Sequence, residues 1–92
     1  MDWNLNMANR PVTHTRKDRY GNIIGLGNPT QTWSVRSTAD CIRDIESGAH
    51  QYYVPWPTGS TWIRVVQGTN GKYLRTDRDN TSRNNLDDLP NI

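Results

Sequence analysis

Aromatic rings and arginines that could bind a nucleic-acid strand recur at strand-like spacing in this chain. Trp62 and Arg64 alternate with Ile63 and Val65, and an Asn-Gly turn then leads into a returning strand. Bases of a single strand stack on exposed rings, while arginines contact the phosphates. We therefore predict a basic, aromatic sheet face as the candidate binding site. Its residues are Arg16, Trp62, Arg64, Tyr73 and Arg75.

The same rings have an alternative role as core residues. Only 33% of the residues are hydrophobic, so Trp62 and Tyr73 could be needed to fill the interior. With its rings buried, the chain would be a protein–protein interaction or structural module without nucleic-acid binding. Exposure of the two rings distinguishes these hypotheses.

The residue inventory argues against familiar enzymatic chemistry. His14 lies in a predicted strand, His50 follows the predicted helix, and Cys41 lies on the apolar stripe of that helix. A free cysteine in such a position usually acts as a small hydrophobic residue. No nucleophile–base pair and no complete phosphate-binding loop is evident. We therefore predict that the chain is not an enzyme and uses no cofactor.

Residues with side-chain oxygens follow the spacing of a calcium-binding loop near the C-terminal end. The six ligand positions of that loop would fall on Asp77, Asp79, Thr81, Arg83, Asn85 and Asp88. Ser82 stands where the loop needs glycine, and Arg78 and Arg83 add positive charge. Such aspartates and asparagines also bond to backbone amides in turns. We predict a structural role for this segment and no metal.

Length, cysteine content and charge limit the class of protein. A chain of 92 residues suits one domain, and a single cysteine fits a reducing cytoplasm. No apolar run approaches the ~20 residues of a membrane helix, so no membrane partner is expected. The formal net charge of +2 is too small to identify a partner. Nucleic acid and another protein both remain open as partners, and a monomer is favoured.

The order of predicted elements indicates an α+β fold. We expect one antiparallel sheet, built from two hairpins and a further strand, with one helix packed on one face. The hairpins turn at Gly21-Asn22 and Asn70-Gly71, because both residue types tolerate positive φ. Residues 1–9 are expected to be a disordered lead-in, and 10–92 a single domain.

Capping residues define the predicted helix, and leucines define the C-terminal segment. Ser37 caps a helix that runs to Ser47, and Gly48 ends it. Its packing residues are expected to be Ala39, Cys41, Ile42 and Ile45. Beyond the polar segment, Leu86 and Leu89 are expected to be buried.

Several motifs together resemble a known family. They are Gly21-Asn22-Ile23, Ile42–Gly48, Tyr52-Tyr53-Val54, Tyr73–Asp77 and Asn85–Pro90. Over about residues 12–90 the chain resembles a family of small bacterial domains of unknown function, whose C-terminal signature is Tyr-Leu-Arg-Thr … Asn-Leu-Asp-Asp-Leu-Pro. The resemblance implies a cytoplasmic bacterial protein and brings no activity, substrate or catalytic residue.

Overall fold

The structure is a computed structural model that describes residues 8–57, 59–76 and 85–92. Within these ranges the chain forms strands, one α-helix and a short C-terminal 3₁₀ helix. The elements in chain order are β1 (Ala8–Pro11), β2 (His14–Lys17), β3 (Ile23–Gly27), β4 (Arg36–Ser37), α1 (Thr38–Ser47), β5 (His50–Trp56), β6 (Gly59–Gly68), β7 (Gly71–Thr76) and the 3₁₀ helix (Asn85–Asp88).

The strands form two sheets, with strand orders β1-β5-β6-β7 and β2-β3-β4. The predicted α+β class with one helix is confirmed, but the single antiparallel sheet is wrong, and β1 pairs with β5 in parallel. The cause lies between β1 and β2. There the Val12 amide donates to the Tyr53 carbonyl at 2.8 Å, and the Thr13 amide donates to the Gly27 carbonyl at 3.1 Å. One extended segment therefore passes from the first sheet into the second.

The first strand begins inside the segment that was expected to be a disordered lead-in. Ala8 and Asn9 belong to β1, which pairs with the start of β5. Residues 1–7 lie outside the described residues. The outer edge of β1 is partly closed, because Pro11 has no amide hydrogen and its carbonyl accepts from Asn28 Nδ2 at 3.0 Å.

The predicted helix is confirmed at both ends. The Ser37 hydroxyl accepts from the Asp40 amide at 3.2 Å, as an N-cap does. At the other end Gly48 adopts a left-handed conformation with φ 79°, and its amide donates to carbonyls of the last turn. These contacts satisfy backbone groups that a helix end leaves unpaired.

The buried face of α1 differs from the predicted one at two positions. Cys41 is buried and Ile42 and Ile45 are half-buried, whereas Ala39 is exposed, so its predicted packing role is wrong. Asp44 is buried instead, three residues after Cys41 and on the same side of the helix. An aspartate is stable there because Arg36 and Tyr52 bind its carboxylate.

Both predicted hairpins form, although the second turns at Thr69-Asn70, one residue before the predicted pair, and neither Asn22 nor Asn70 has positive φ. The first is closed by Asp18, whose carboxylate accepts from the amides of Tyr20 and Asn22 at 2.9 Å each. The backbone hydrogen bond from Asn22 is the main cause that lowers the pKa of Asp18. The second hairpin pairs Gly68 with Gly71, whose φ of 118° is accessible to glycine but rarely to other residues. A third hairpin joins β5 to β6.

The hydrophobic core lies where α1 meets the strands of both sheets. Its buried members are Val12, Leu26, Cys41, Tyr52, Val54, Ile63, Leu74, Leu86 and Leu89. The predicted burial of Leu86 and Leu89 is therefore confirmed. The predicted turn bonds of residues 77–81 lie outside the described residues.

After Leu89 the chain runs beside β2. The Thr15 amide donates to the Pro90 carbonyl at 3.0 Å, and the Ile92 amide donates to the Thr15 carbonyl at 2.9 Å. Lys17 Nζ also donates to the Leu89 carbonyl at 3.0 Å. The C-terminal segment thus covers one edge of the second sheet. Among the described helices, none combines the length and apolar character needed to span a membrane.

Candidate nucleic-acid interface

Strand alternation places the aromatic and basic residues on one side of the first sheet. Ile63 is buried, so Trp62 and Arg64, its neighbours along β6, point to the opposite side. In the β6–β7 pairing Arg64 lies opposite Arg75, and Val66 lies opposite Tyr73. Directly paired residues share a face of the sheet. We call this surface the open face and define it by Tyr53, Trp62, Arg64, Val66, Tyr73 and Arg75.

The two rings of the open face are exposed rather than buried. Trp62 is 37% exposed and Tyr73 is 44% exposed. Arg64 is exposed, and Arg75 is half-buried. Neither Trp62 nor Tyr73 therefore belongs to the buried core, whose largest member is Tyr52. The alternative in which these rings supply the bulk of the core is wrong.

Neighbouring residues support each exposed ring. The ring of Tyr53 meets that of Trp62 edge to face, with 5.9 Å between centroids. The ring of Tyr73 lies against Gly68 on β6, where an added Cβ would come within 3.0 Å of Tyr73 Cε1. Glycine at position 68 thus leaves room for the tyrosine ring. Both rings are held in place by the sheet, which lowers the entropy lost when a ligand binds.

The two arginines of the open face lie at directly opposite positions between the rings. Cα atoms of opposite residues in an antiparallel pair are about 4.5–5.5 Å apart, so the side chains of Arg64 and Arg75 start from adjacent positions on this face. Along β6, Arg64 stands two residues from Trp62. Along β7, Arg75 stands two residues from Tyr73. Along the two strands, the pair of arginines therefore lies between the ring of Trp62 and the ring of Tyr73.

Arg16 does not belong to this surface. It lies in β2 of the second sheet, opposite Gly25, and its Nε donates to the Ile92 carbonyl at 3.3 Å. The structure therefore brings together four of the five predicted site residues and places Arg16 elsewhere. The prediction failed for Arg16 because it assumed that all the strands formed one sheet.

A second polar constellation, which the sequence did not reveal, surrounds Asp44. Its Oδ2 accepts from Arg36 Nε and from the Tyr52 hydroxyl, both at 2.6 Å, and its Oδ1 accepts from Arg36 Nη2 at 3.0 Å. Arg10 Nη1 donates to the Tyr52 hydroxyl at 2.8 Å. These four residues form the Asp44 cluster, which ties β1, β4 and β5 to α1. One feature of the sequence could have indicated this cluster, because helical spacing places the carboxylate of Asp44 on the same side of the helix as Cys41.

Burial and hydrogen bonding act in opposite directions on the pKa of Asp44. Burial raises the pKa of the carboxyl, but the hydrogen bonds from Arg36 and Tyr52 together lower it below its usual value. For Tyr52, burial and the bond to Asp44 both raise the pKa. The cluster is thus an ionised carboxylate enclosed by donors, a stable structural arrangement at neutral pH.

Among the described residues, the groups that enzymes use as nucleophiles and bases form no hydrogen-bonded pair of histidine with cysteine or aspartate. Burial raises the pKa of Cys41 to about 12, and its Sγ lies 3.8 Å from the Arg36 carbonyl. His14 Nδ1 lies 2.7 Å from Thr13 Oγ1. In the part of the chain that the structure describes, no hydrogen bond joins either histidine to Cys41 or to an aspartate. The same residues contain no group of three or more side chains suited to a metal ion. Residues 77–84 of the calcium-loop pattern lie outside them.

A groove of about 440 Å³ lies beside β7, and Tyr73 of the open face is one of its lining residues. The first hairpin turn, the start of α1, β7 and the 3₁₀ helix line it. Its polar residues include Asn22, Thr38, Lys72 and Asp87. Lys72 Nζ is paired with Glu46 Oε2 at 2.7 Å. The groove therefore offers a surface of mixed polar and charged character.

The comparison with protein families gives one match. A family model described as a protein of unknown function, DUF3892, matches residues 11–90. The chain belongs to the DUF3892 family. No curated protein and no solved structure matches the chain. The resemblance to a domain family of unknown function is thereby confirmed.

The DUF3892 match extends from the end of β1 to Pro90, just before the last two residues. It therefore includes the whole open face and both hairpins that form it. Of the Asp44 cluster it includes Arg36, Asp44 and Tyr52, while Arg10 lies one residue before it. Membership of the DUF3892 family identifies the domain, and the description of the family names no function.

Proposed function

We propose that this DUF3892 domain is a binding module that takes single-stranded nucleic acid on its open face. The observation that carries the proposal is the placement of two exposed rings and two arginines on one side of β6 and β7. Exposed aromatic side chains with arginines between them are the features that bind unpaired bases and their phosphates.

Physical chemistry favours a single strand over a duplex on this surface. Bases must be unstacked to lie on the rings of Trp62 and Tyr73, and single strands expose their bases at low cost. Each base stacked on an aromatic side chain contributes about 1–3 kcal/mol. The guanidinium groups of Arg64 and Arg75 add phosphate contacts. Stacking accepts any base, so we expect little sequence preference.

We further propose that the domain is not an enzyme and acts as a monomer in the cytoplasm. The buried thiol of Cys41, with its raised pKa, is unsuited to act as a nucleophile. The reducing cytoplasm would keep that thiol free. Binding alone, without chemistry, is the role that the open face supports.

Another protein is the second candidate partner. Exposed tryptophan, tyrosine and arginine are the residues that most often dominate the binding energy of protein interfaces. Trp62, Tyr73 and Arg64 meet that description on a single surface. Salt dependence separates the candidates, because nucleic-acid binding releases counterions from phosphates and weakens steeply as salt rises.

Titration with fluorescently labelled single-stranded DNA and RNA at low and moderate salt tests the proposal. We expect saturable binding at low salt, and a slope of about −0.7 in log K against log salt for each phosphate contact. Replacing both Arg64 and Arg75 with glutamine should reduce that slope. Duplex DNA of the same length serves as the matched ligand control and should bind more weakly. Absence of single-strand binding at low salt would remove this function and leave the protein partner.

A further inference from the structure

The open face has a fixed internal spacing, and we infer from it how a strand lies on the surface. Trp62 and Tyr73 hold two bases that are not neighbours in the strand, and Arg64 and Arg75 contact the phosphates between them. This arrangement rests on the proposed function. It adds a minimum length for the nucleic acid and places its backbone along β6, neither of which the proposed function requires.

The distance between the rings follows from the register of the sheet. Tyr73 lies opposite Val66, which is four residues from Trp62 on β6. A β-strand rises about 3.3 Å per residue, so the positions of Trp62 and Tyr73 are about 13 Å apart along the sheet. The Tyr73 ring also leans toward Gly68, farther from Trp62. The rings are therefore too far apart to lie on both sides of one base.

The spacing of nucleotides sets the shortest oligonucleotide that can reach both rings. Neighbouring nucleotides in one strand of a duplex are about 3.4 Å apart, so the rings are about four such steps apart. Even a strand stretched to about twice that spacing needs an intervening nucleotide between the two held bases. A dinucleotide can therefore occupy only one ring. The smallest ligand that reaches both is a trinucleotide, and a less extended strand needs more nucleotides.

The arginines stand where the linking phosphates must pass. Arg64 and Arg75 are paired across the strands, each two residues from the ring on its own strand. A nucleic-acid strand whose bases are held at Trp62 and Tyr73 therefore passes Arg64 and Arg75 halfway between the two bases. Guanidinium groups bind phosphate oxygens in a bidentate manner, which fixes the position of the backbone.

The support beneath each ring makes the spacing a property of the protein before binding. Tyr53 holds the Trp62 ring from β5, and Gly68 receives the Tyr73 ring on β6. Gly68 acts here as a positioning residue, since a side chain at that site would displace the Tyr73 ring. Displacement would change binding at one end of the site only.

A length series of labelled oligothymidylates, from dinucleotide to hexanucleotide at low salt, tests the arrangement by fluorescence anisotropy. We expect the affinity to rise by about tenfold at the length that first bridges both rings. Trp62→Leu and Tyr73→Leu should each abolish that step, while dinucleotides still bind through the remaining ring. Gly68→Ala should reduce the step. Tyr20→Leu is the matched control, because Tyr20 is 73% exposed but lies in the first hairpin turn.

The outcomes separate this arrangement from the proposed function. A smooth increase of affinity with length, or a step that survives both ring substitutions, would overturn the two-base arrangement and leave the proposed function in place. Absence of binding at every length would overturn the proposed function and the arrangement with it. Circular dichroism of each variant establishes that its fold is intact, and the leucine substitutions keep apolar bulk at both positions for that reason.

Discussion

The hydroxyl group of Tyr52 donates to Oδ2 of Asp44 at 2.6 Å, and both residues are buried between α1 and β5. The two residues lie eight positions apart, on either side of Gly48. Their contact fixes how the helix lies on the first sheet. Arg36 and Arg10 complete the Asp44 cluster from β4 and β1. The same sheet carries the open face on its other side, so the cluster underlies the candidate binding surface.

Removing the Tyr52 hydroxyl should destabilise the domain. Tyr52→Phe deletes a donor to a buried carboxylate, and hydrogen bonds to charged groups contribute about 1.5–3 kcal/mol. We expect a loss of that size in the free energy of unfolding, measured by urea denaturation. Tyr53→Phe is the matched control, since Tyr53 is the next residue and faces the other side of β5. Equal losses in the two variants would contradict the structural role of the Tyr52–Asp44 contact.

Stability should fall in acid through Asp44. The folded-state pKa of Asp44 is below its usual value of 3.8, so the folded protein binds that proton less readily than the unfolded chain. The stabilisation is present above the unfolded-state pKa and is lost as pH falls toward the folded-state pKa. We expect the free energy of unfolding to decrease below about pH 4. Asp44→Asn should make this decrease shallower, at a cost in stability at neutral pH.

A second aspartate has to be separated from Asp44 in the acid experiment. Asp18 also has a lowered pKa and contributes in the same direction, so Asp18→Asn should remove a separate part of the decrease. A pH profile that is identical in wild type and Asp44→Asn would contradict the assignment.

Elements with local signals could be predicted from the sequence. The helix from Thr38 to Ser47 follows from its capping serine and its terminal glycine, which act within one turn of the chain. The hairpin between β6 and β7 follows from its Asn-Gly pair, in which only Gly71 adopts positive φ. The alternation of Trp62, Ile63 and Arg64 likewise sets which side chains share a face.

Features that depend on distant partners could not be predicted. The division into two sheets is decided at Val12 and Thr13, whose amides bind Tyr53 and Gly27 far along the chain. For the same reason Arg16 was predicted to lie on the open face, whereas it lies in the second sheet. The burial of Asp44 depends on donors from three other elements, and sequence alone does not show that they converge. The exposure of Trp62 and Tyr73 could not be predicted either, because it depends on other residues filling the core.

The C-terminal segment should contribute strongly to stability. Leu86 is fully buried and Leu89 is 7% exposed. Truncating a buried leucine to alanine typically costs about 2–5 kcal/mol, because it loses burial and leaves a cavity. We expect Leu86→Ala to lower the free energy of unfolding by that amount, and truncation after Thr76 to lower it further. Asp87→Ala is the control. An unchanged melting temperature after truncation would contradict the structural role of the segment.

Gly27 and Ile92 should be energetically coupled, because they are in close contact where the C-terminal segment runs beside the second sheet. A Cβ at position 27 would come within 3.0 Å of Ile92 Cδ1 and 3.1 Å of Ser34 Oγ. Gly27→Ala should therefore destabilise the domain by about 1–3 kcal/mol through overpacking. In an Ile92→Ala background the same substitution should cost less, since the larger of the two obstacles is gone. A double-mutant cycle of urea unfolding measures the difference, and strictly additive effects would show that the contact does not restrict position 27.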